Sequence, residues 1–183
     1  MLEWLLQLDE NILLWIQQFV RGEIMTPVFL VITHLGDGGT VWIALCILLQ
    51  LFRKTRWVGV TGLLALLGSL LINNMLVKNL VARPRPFLRL EELTILIDTP
   101  SEFSFPSGHT ASSFAAAFVF FRNLPRRYGF PAIVLASCIG LSRLYIGVHY
   151  PTDVLFGVLS GWLLCLLAEW VVKCMRRKTP VDK

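Results

Sequence analysis

Between Trp57 and Val77 the chain runs 21 residues without a charged side chain. A helix needs about 20 such residues to cross the hydrocarbon core of a bilayer. A second run, 154–172, is interrupted only by Glu169. Further apolar blocks lie at about 24–35, 40–52, 107–121 and 128–144, and the last block starts near 151. The composition agrees with lipid as the solvent. The 183 residues are 55% hydrophobic and 16% charged, whereas soluble domains carry roughly 25% charged residues. Disorder is excluded and an ordinary soluble enzyme is disfavoured.

The blocks predict an all-α, polytopic membrane bundle of six transmembrane helices. Residues 1–22 form a separate amphipathic segment, 23–175 the membrane domain and 176–183 a basic tail. In the first segment Leu2, Leu5, Leu6, Leu8, Ile12, Leu13, Ile16 and Phe19 recur at helical spacing, with acids and glutamines on much of the other face. A helix lying in the interface fits this pattern. The segment has no basic leader or small-residue cleavage site and does not read as a removed signal peptide. Arg53, Lys54 and Arg56 follow the second block, Arg122, Arg126 and Arg127 the fourth, and Lys173, Arg176, Arg177 and Lys178 the sixth. Six alternating spans put all three clusters on one side, which the positive-inside rule makes the cytoplasm. Both termini are then cytoplasmic, and residues 78–106 and 145–150 meet on the outer side of a multi-pass cell-membrane protein.

The formal net charge of +5 comes from residues scattered between apolar blocks. No basic face or recognised nucleic-acid motif is present, so no nucleic-acid partner is expected. The four cysteines, 46, 138, 165 and 174, show no metal spacing and read as core or lipid-facing residues. No acidic metal-binding cluster is visible. Asp37 stands alone in Gly36-Asp37-Gly38-Gly39, and His34 reads as interfacial. Gly157 with Gly161, and Ala136 with Gly140, suit close helix packing. An oligomer of identical chains is left open.

The outer segments carry polar residues that a lipid-facing bundle does not need. Lys78 and Arg83-Pro84-Arg85-Pro86 place cations where the positive-inside rule disfavours them. They can snorkel at a helix end, be neutralised by Glu91, Glu92, Asp98 and Glu102, or hold an anion. Glu91 and Glu92 themselves read as solvated. Pro106-Ser107-Gly108-His109 opens the fourth block. Ser107 suits an N-cap, and free N–H groups at a helix start bind phosphate. Gly108 lets an anion approach the backbone, and His109 can supply a proton. Ser142-Arg143 ends the fifth block, with His149 and Asp153 beyond it. A carboxylate four residues from an imidazole can fix its tautomer and free the other nitrogen for attack. Buried polar groups at a membrane are costly and commonly functional.

Together these residues resemble the type 2 phosphatidic acid phosphatase superfamily, which shares its site with the vanadium haloperoxidases. Lys78, six residues, then Arg85-Pro86 is similar to the first motif of the family. Pro106-Ser107-Gly108-His109 matches the second. Ser142-Arg143, five residues, His149, three residues, Asp153 matches the third. The resemblance implies that His149 attacks phosphorus to form a phosphohistidine, that Asp153 orients it, and that His109 protonates the leaving oxygen and then activates water. It implies phosphate binding by Lys78, Arg85, Arg143, Ser107 and the Gly108 N–H, with Ser142 a motif member of less defined role. Arg83 lies outside the strict pattern and could meet a second phosphate.

Three fixed cations can stabilise a phosphoryl transition state, so neither metal nor cofactor is expected. A nucleophilic His149 must be neutral and a proton-donating His109 charged, which predicts a bell-shaped pH profile. The expected partners are the bilayer and a lipid phosphate or diphosphate, with undecaprenyl diphosphate favoured over phosphatidylglycerophosphate and phosphatidic acid. A lipid phosphotransferase, a non-catalytic lipid-phosphate binder and a haloperoxidase remain as other readings. Six spans argue against the last.

Overall fold

The computed structural model describes residues 2–178, and its regular elements there are all helical. Helix α1 (Leu2–Trp15) continues through a π-helical turn to Val20. Helices α2 (Met25–Leu35) and α3 (Thr40–Gln50) follow. Helix α4 (Arg56–Gly68) runs on through a π-helical stretch, Ser69–Val77, into the short α5 (Lys78–Val81). After a long loop come α6 (Gly108–Asn123), α7 (Arg126–Tyr145) and α8 (Pro151–Lys178).

Small residues explain the centre of the bundle. Ala111, Ala115, Ala116 and Ala117 of α6 are fully buried, and α6 packs against α4, α7 and α8. On α8 a Cβ added at Gly161 would lie 2.8 Å from the Ala115 nitrogen and 3.0 Å from the Ala111 oxygen. The glycine pair therefore sets how closely α6 and α8 approach. Polar side chains in this apolar interior are paired across helices, as burial demands. Trp42 Nε1 donates to Ser113 Oγ at 2.9 Å, and Ser160 Oγ donates to Asn73 Oδ1 at 2.9 Å.

Two expectations about the chain path change. The blocks 24–35 and 40–52 are not two oppositely directed spans. They are α2 and α3, bent by 45° at a break of a few residues. Eleven residues of helix rise only about 16 Å, so α2 is too short to cross alone. Its contacts fix its direction. Gly22 N and Thr26 Oγ1 meet the Tyr145 hydroxyl at the end of α7, and Phe29 stacks on that ring at 4.1 Å. Further along, Thr33 meets Arg143. Trp42, in α3, then reaches Ser113 and Phe120 further down α6. Both halves thus descend from the same end of the bundle. Arg56–Leu88, Arg126–Tyr145 and Pro151–Arg177 are each long and apolar enough to cross a membrane.

The second change concerns α1. Its acids do not all face away from the protein, because Asp9 is 2% exposed and points inward with Leu13. Leu13 packs with Leu93, Leu144, Tyr150 and Val154, while Trp4, Leu5, Leu8, Trp15 and Phe19 remain exposed. Helix α1 therefore lies against the end of the bundle where α7 finishes and α8 begins. It also holds the 86–104 loop. Gln17 Nε2 donates to the Glu92 carbonyl at 2.8 Å, and Arg21 Nη1 donates to the Thr94 carbonyl at 2.7 Å.

Candidate active site

Three chain breaks meet at that end of the bundle: the end of α5, the start of α6 and the α7–α8 turn. They bring Lys78, Arg85, Gly108, His109, Arg143 and His149 onto one cavity of about 650 Å³. The short α5 stops at Ala82, which has left-handed backbone angles (φ 47°), and Pro84 and Pro86 prevent the helix from resuming. Arg85 is buried in consequence. Its Nε donates to the Glu102 carbonyl at 2.7 Å and its Nη1 to the Val148 carbonyl at 2.9 Å. The same Nη1 is 3.5 Å from His149 Nε2.

His149 is 2% exposed and sits in the α7–α8 turn. Burial pushes its pKa down to about 3, opposed by Asp153 and reinforced by Arg85 and Arg143. The imidazole is therefore neutral across the physiological range, and the acid side of the expected bell lies far lower than an ordinary histidine would put it. Its Nδ1 is 3.5 Å from Asp153 Oδ2, long for a hydrogen bond, and has no other partner. Contacts of this kind tighten when substrate enters. Asp153 is itself completely enclosed. Ser104 Oγ donates to its Oδ2 at 2.5 Å, the Tyr150 N–H donates to the same oxygen at 2.9 Å, and Arg83 Nη1 donates to Oδ1 at 2.6 Å.

The remaining expected residues divide. Arg143 Nη1 donates to Thr33 Oγ1 at 2.6 Å, and its Nε is a buried donor without a protein partner. Lys78 pairs with the Glu102 carboxylate, and this hydrogen bond holds that carboxyl below the usual carboxylate range. At Gly108 a Cβ would come within 2.6 Å of Asn74 Oδ1, so a side chain at the helix start would have to displace Asn74. Ser107 Oγ is bonded to Thr110 Oγ1 at 2.9 Å, and its N–H donates to the Asp153 carbonyl at 3.2 Å. Ser142 does not line the cavity. Its hydroxyl donates to the Ile139 carbonyl at 2.6 Å, which makes it a helix-end residue rather than a phosphate ligand. Arg83 also departs from expectation. It is held by Asp153, by Asp9 Oδ2 at 2.8 Å and by Thr152 Oγ1 at 2.8 Å, and lies over the Tyr150 ring. With those partners it braces the Asp153 carboxylate and is not available to a second phosphate.

Sequence reasoning missed four contributors, Asp9, Thr33, Asp37 and Ser104, whereas Glu102 was among the acids expected to neutralise the outer cations and does pair with Lys78. Asp37 Oδ1 meets His109 Nε2 at 2.7 Å, and its Oδ2 meets His34 Nδ1 at 2.9 Å. Ser104 and Glu102 come from the long loop, far in sequence from the residues they touch. The one local signal was Asp9, an acid at helical spacing from Leu5, Ile12 and Leu13 on the apolar stripe of α1.

A family profile described as the PAP2 superfamily matches residues 58–179. The chain belongs to the PAP2 superfamily. Among PAP2 relatives, an undecaprenyl-diphosphatase of Sulfolobus acidocaldarius is 32% identical over 72% of this chain and 60% of its own length. The chain thus spans less than two thirds of that relative. A decaprenylphosphoryl-5-phosphoribose phosphatase of Mycobacterium tuberculosis is 37% identical over 71% of each protein. Among solved structures, the transmembrane PAP2-type phosphatidylglycerolphosphate phosphatase of Bacillus subtilis superposes with a TM-score of 0.74 at 30% identity. That match covers 97% of this chain and 88% of the other.

Proposed function

We propose that the chain is a metal-independent membrane phosphatase that hydrolyses a lipid diphosphate, with undecaprenyl diphosphate as the favoured substrate. The observation that carries this reading is the make-up of the site cavity. Its lining combines Lys78, Arg85, His109, Arg143 and His149 with the apolar side chains of Ile43, Leu63, Leu66, Leu67 and Leu70. A phosphate head and an apolar tail are both accommodated, as an amphiphilic ester requires. The prenyl-lipid names of two relatives favour a polyprenyl substrate. Arg83 gives that choice no support, because its partners are protein carboxylates.

In this reading His149 Nε2 attacks phosphorus. The bond to the leaving oxygen breaks, and His109 donates a proton to that oxygen. Water then attacks the phosphohistidine while His109 takes back a proton, releasing inorganic phosphate and free His149. Asp153 holds His149 through Nδ1. Lys78, Arg85 and the unpartnered Nε of Arg143 face the phosphoryl oxygens, where fixed donors act most strongly as charge develops. The Gly108 N–H adds the start of α6.

The proposed topology follows the same geometry. The bent α2–α3 pair, α4, α6, α7 and α8 make five passages, in place of the six expected from the sequence. The basic residues 53–56, 122–127 and 173–177 then share the cytoplasmic side, with the site and α1 at the outer face.

Phosphate release by purified protein in detergent with EDTA tests the reading. Undecaprenyl diphosphate, phosphatidylglycerophosphate, phosphatidic acid and a soluble diphosphate are compared, each beside His149→Ala. Release that survives EDTA and vanishes in the variant is the expected result. Full activity in His149→Ala would sink the phosphohistidine route. Phosphatidylglycerophosphate is the second reading, favoured by the solved structure that matches nearly the whole chain. Faster turnover of that lipid would select it.

A further inference from the structure

The catalytic pair described above gives His149 a carboxylate partner and leaves the acid–base histidine without one. The structure supplies it from an unexpected place. The break between α2 and α3, Gly36-Asp37-Gly38-Gly39, passes beside the first turn of α6. A Cβ added at Gly36 would lie 2.8 Å from His109 Cδ2, so the chain can approach the ring only with glycine there. That approach delivers Asp37 Oδ1 to His109 Nε2 at 2.7 Å. The second oxygen, Oδ2, is held by His34 Nδ1 at 2.9 Å, one helical turn back at the end of α2. Thr40 Oγ1 donates to the Asp37 carbonyl at 3.0 Å and steadies the same break.

We propose that Asp37 is the positioning residue for the acid–base histidine of the PAP2 site, with His34 anchoring Asp37 from outside. This rests on the phosphatase reading of the same cavity. Asp37 does not line the cavity, whereas His109 does. With Nε2 committed to Asp37, Nδ1 is the ring nitrogen that serves the substrate. A carboxylate on one nitrogen fixes the ring orientation and favours the protonated form. That is the form His109 needs at the start of each cycle. The groups around it divide by sign. Burial, with Arg143 from α7 and Lys78 from α5, disfavours the imidazolium, while Asp37 from the break and Glu102 from the loop oppose them. His149 shares the cavity and is neutral. Asp37 is the carboxylate in direct contact. The device makes the site two histidine–carboxylate pairs, one for the nucleophile and one for the proton.

The test uses the full-length protein in detergent, with phosphate release measured against pH for wild type, Asp37→Asn, His34→Gln and His149→Ala. Asn keeps a hydrogen-bonding side chain and removes the charge. Asp37→Asn is expected to lower kcat about tenfold, less than the roughly 10²–10⁴-fold that a general acid–base group itself supplies. KM should stay within about twofold, and the alkaline limb should move to lower pH. His34→Gln should show the same change in smaller measure. An unchanged kcat and alkaline limb in Asp37→Asn would overturn the proposal. A loss of activity at every pH with no movement of the limb would also overturn it, because that is the mark of a merely structural role. A second arm needs no substrate. The chain has three histidines, so ring-nitrogen NMR of labelled protein can follow His109 alone. Its titration midpoint is expected to fall in Asp37→Asn, and an unmoved midpoint overturns the proposal. If wild type releases no phosphate, or His149→Ala keeps full activity, the phosphatase reading fails instead. The His109 midpoint then still decides whether Asp37 governs that ring.

Discussion

Glu102 illustrates how a single side chain can act against a site it helps to build. Its backbone carbonyl accepts from Arg85 and so orients that guanidinium, while its carboxylate pairs with Lys78. In the proposed reading, a substrate phosphate competes with that carboxylate for Lys78. Glu102→Gln leaves the backbone contact and removes the competing charge. It is therefore expected to lower KM by about twofold to fivefold, the worth of a part-exposed ion pair. Saturation curves for phosphate release check this, and an unchanged or raised KM counts against competition. The motif residues were legible through the resemblance to the family, and Lys78, His109, Arg143 and His149 all reach one cavity. Their supporters were not. Asp9 meets Thr152 across 143 residues, Asp37 meets His109 across 72 and Ser104 meets Asp153 across 49. Asp9 apart, nothing local marks such partners, because their identity depends on which loops the fold brings together.

Among the helices, the α6–α8 contact is set by glycine and alanine. Gly161→Ala would put a methyl group 2.8 Å from a backbone nitrogen of α6. Backbone cannot rotate aside as a side chain can, so the helices must part. The expected cost is about 1–3 kcal/mol, read as a lower Tm in detergent. Gly22→Ala, with nothing within 4 Å of the added atom, is the control and should leave Tm unchanged. The small-residue spacing in the sequence pointed to this contact correctly. The α2–α3 break was harder to read. Gly36-Asp37-Gly38-Gly39 has the composition of a reversing loop, and hydropathy windows carry no direction. Only the contacts to Tyr145, Arg143 and Ser113 show that the chain bends by 45° and continues.

For the molecule as a whole, the proposed topology turns on that bend. Five passages would leave α1 with the site and the end of α8 with the basic loops. In a cysteine-free background, Glu3→Cys is expected to react with an impermeant maleimide on intact cells. Lys173→Cys should react only after permeabilisation. Both positions are exposed on the protein. Equal behaviour of the two would restore an even number of passages. The same global view explains why the motif search stopped short. It read a site built at helix ends, whereas the structure also builds it from α1, which lies outside the span of the family profile.

The link through α1 limits what an inventory of parts can certify. Asp9 meets Arg83 and, through Thr152, the first turn of α8. A relative shortened to begin near Met25 would keep every motif residue in register and pass any search for them. It would lose the carboxylate that shares Arg83 with Asp153 and leave the opening turn of α8 unmet. When genomes are sorted by motif, such a chain would be filed with the working enzymes although a part of its machinery is gone.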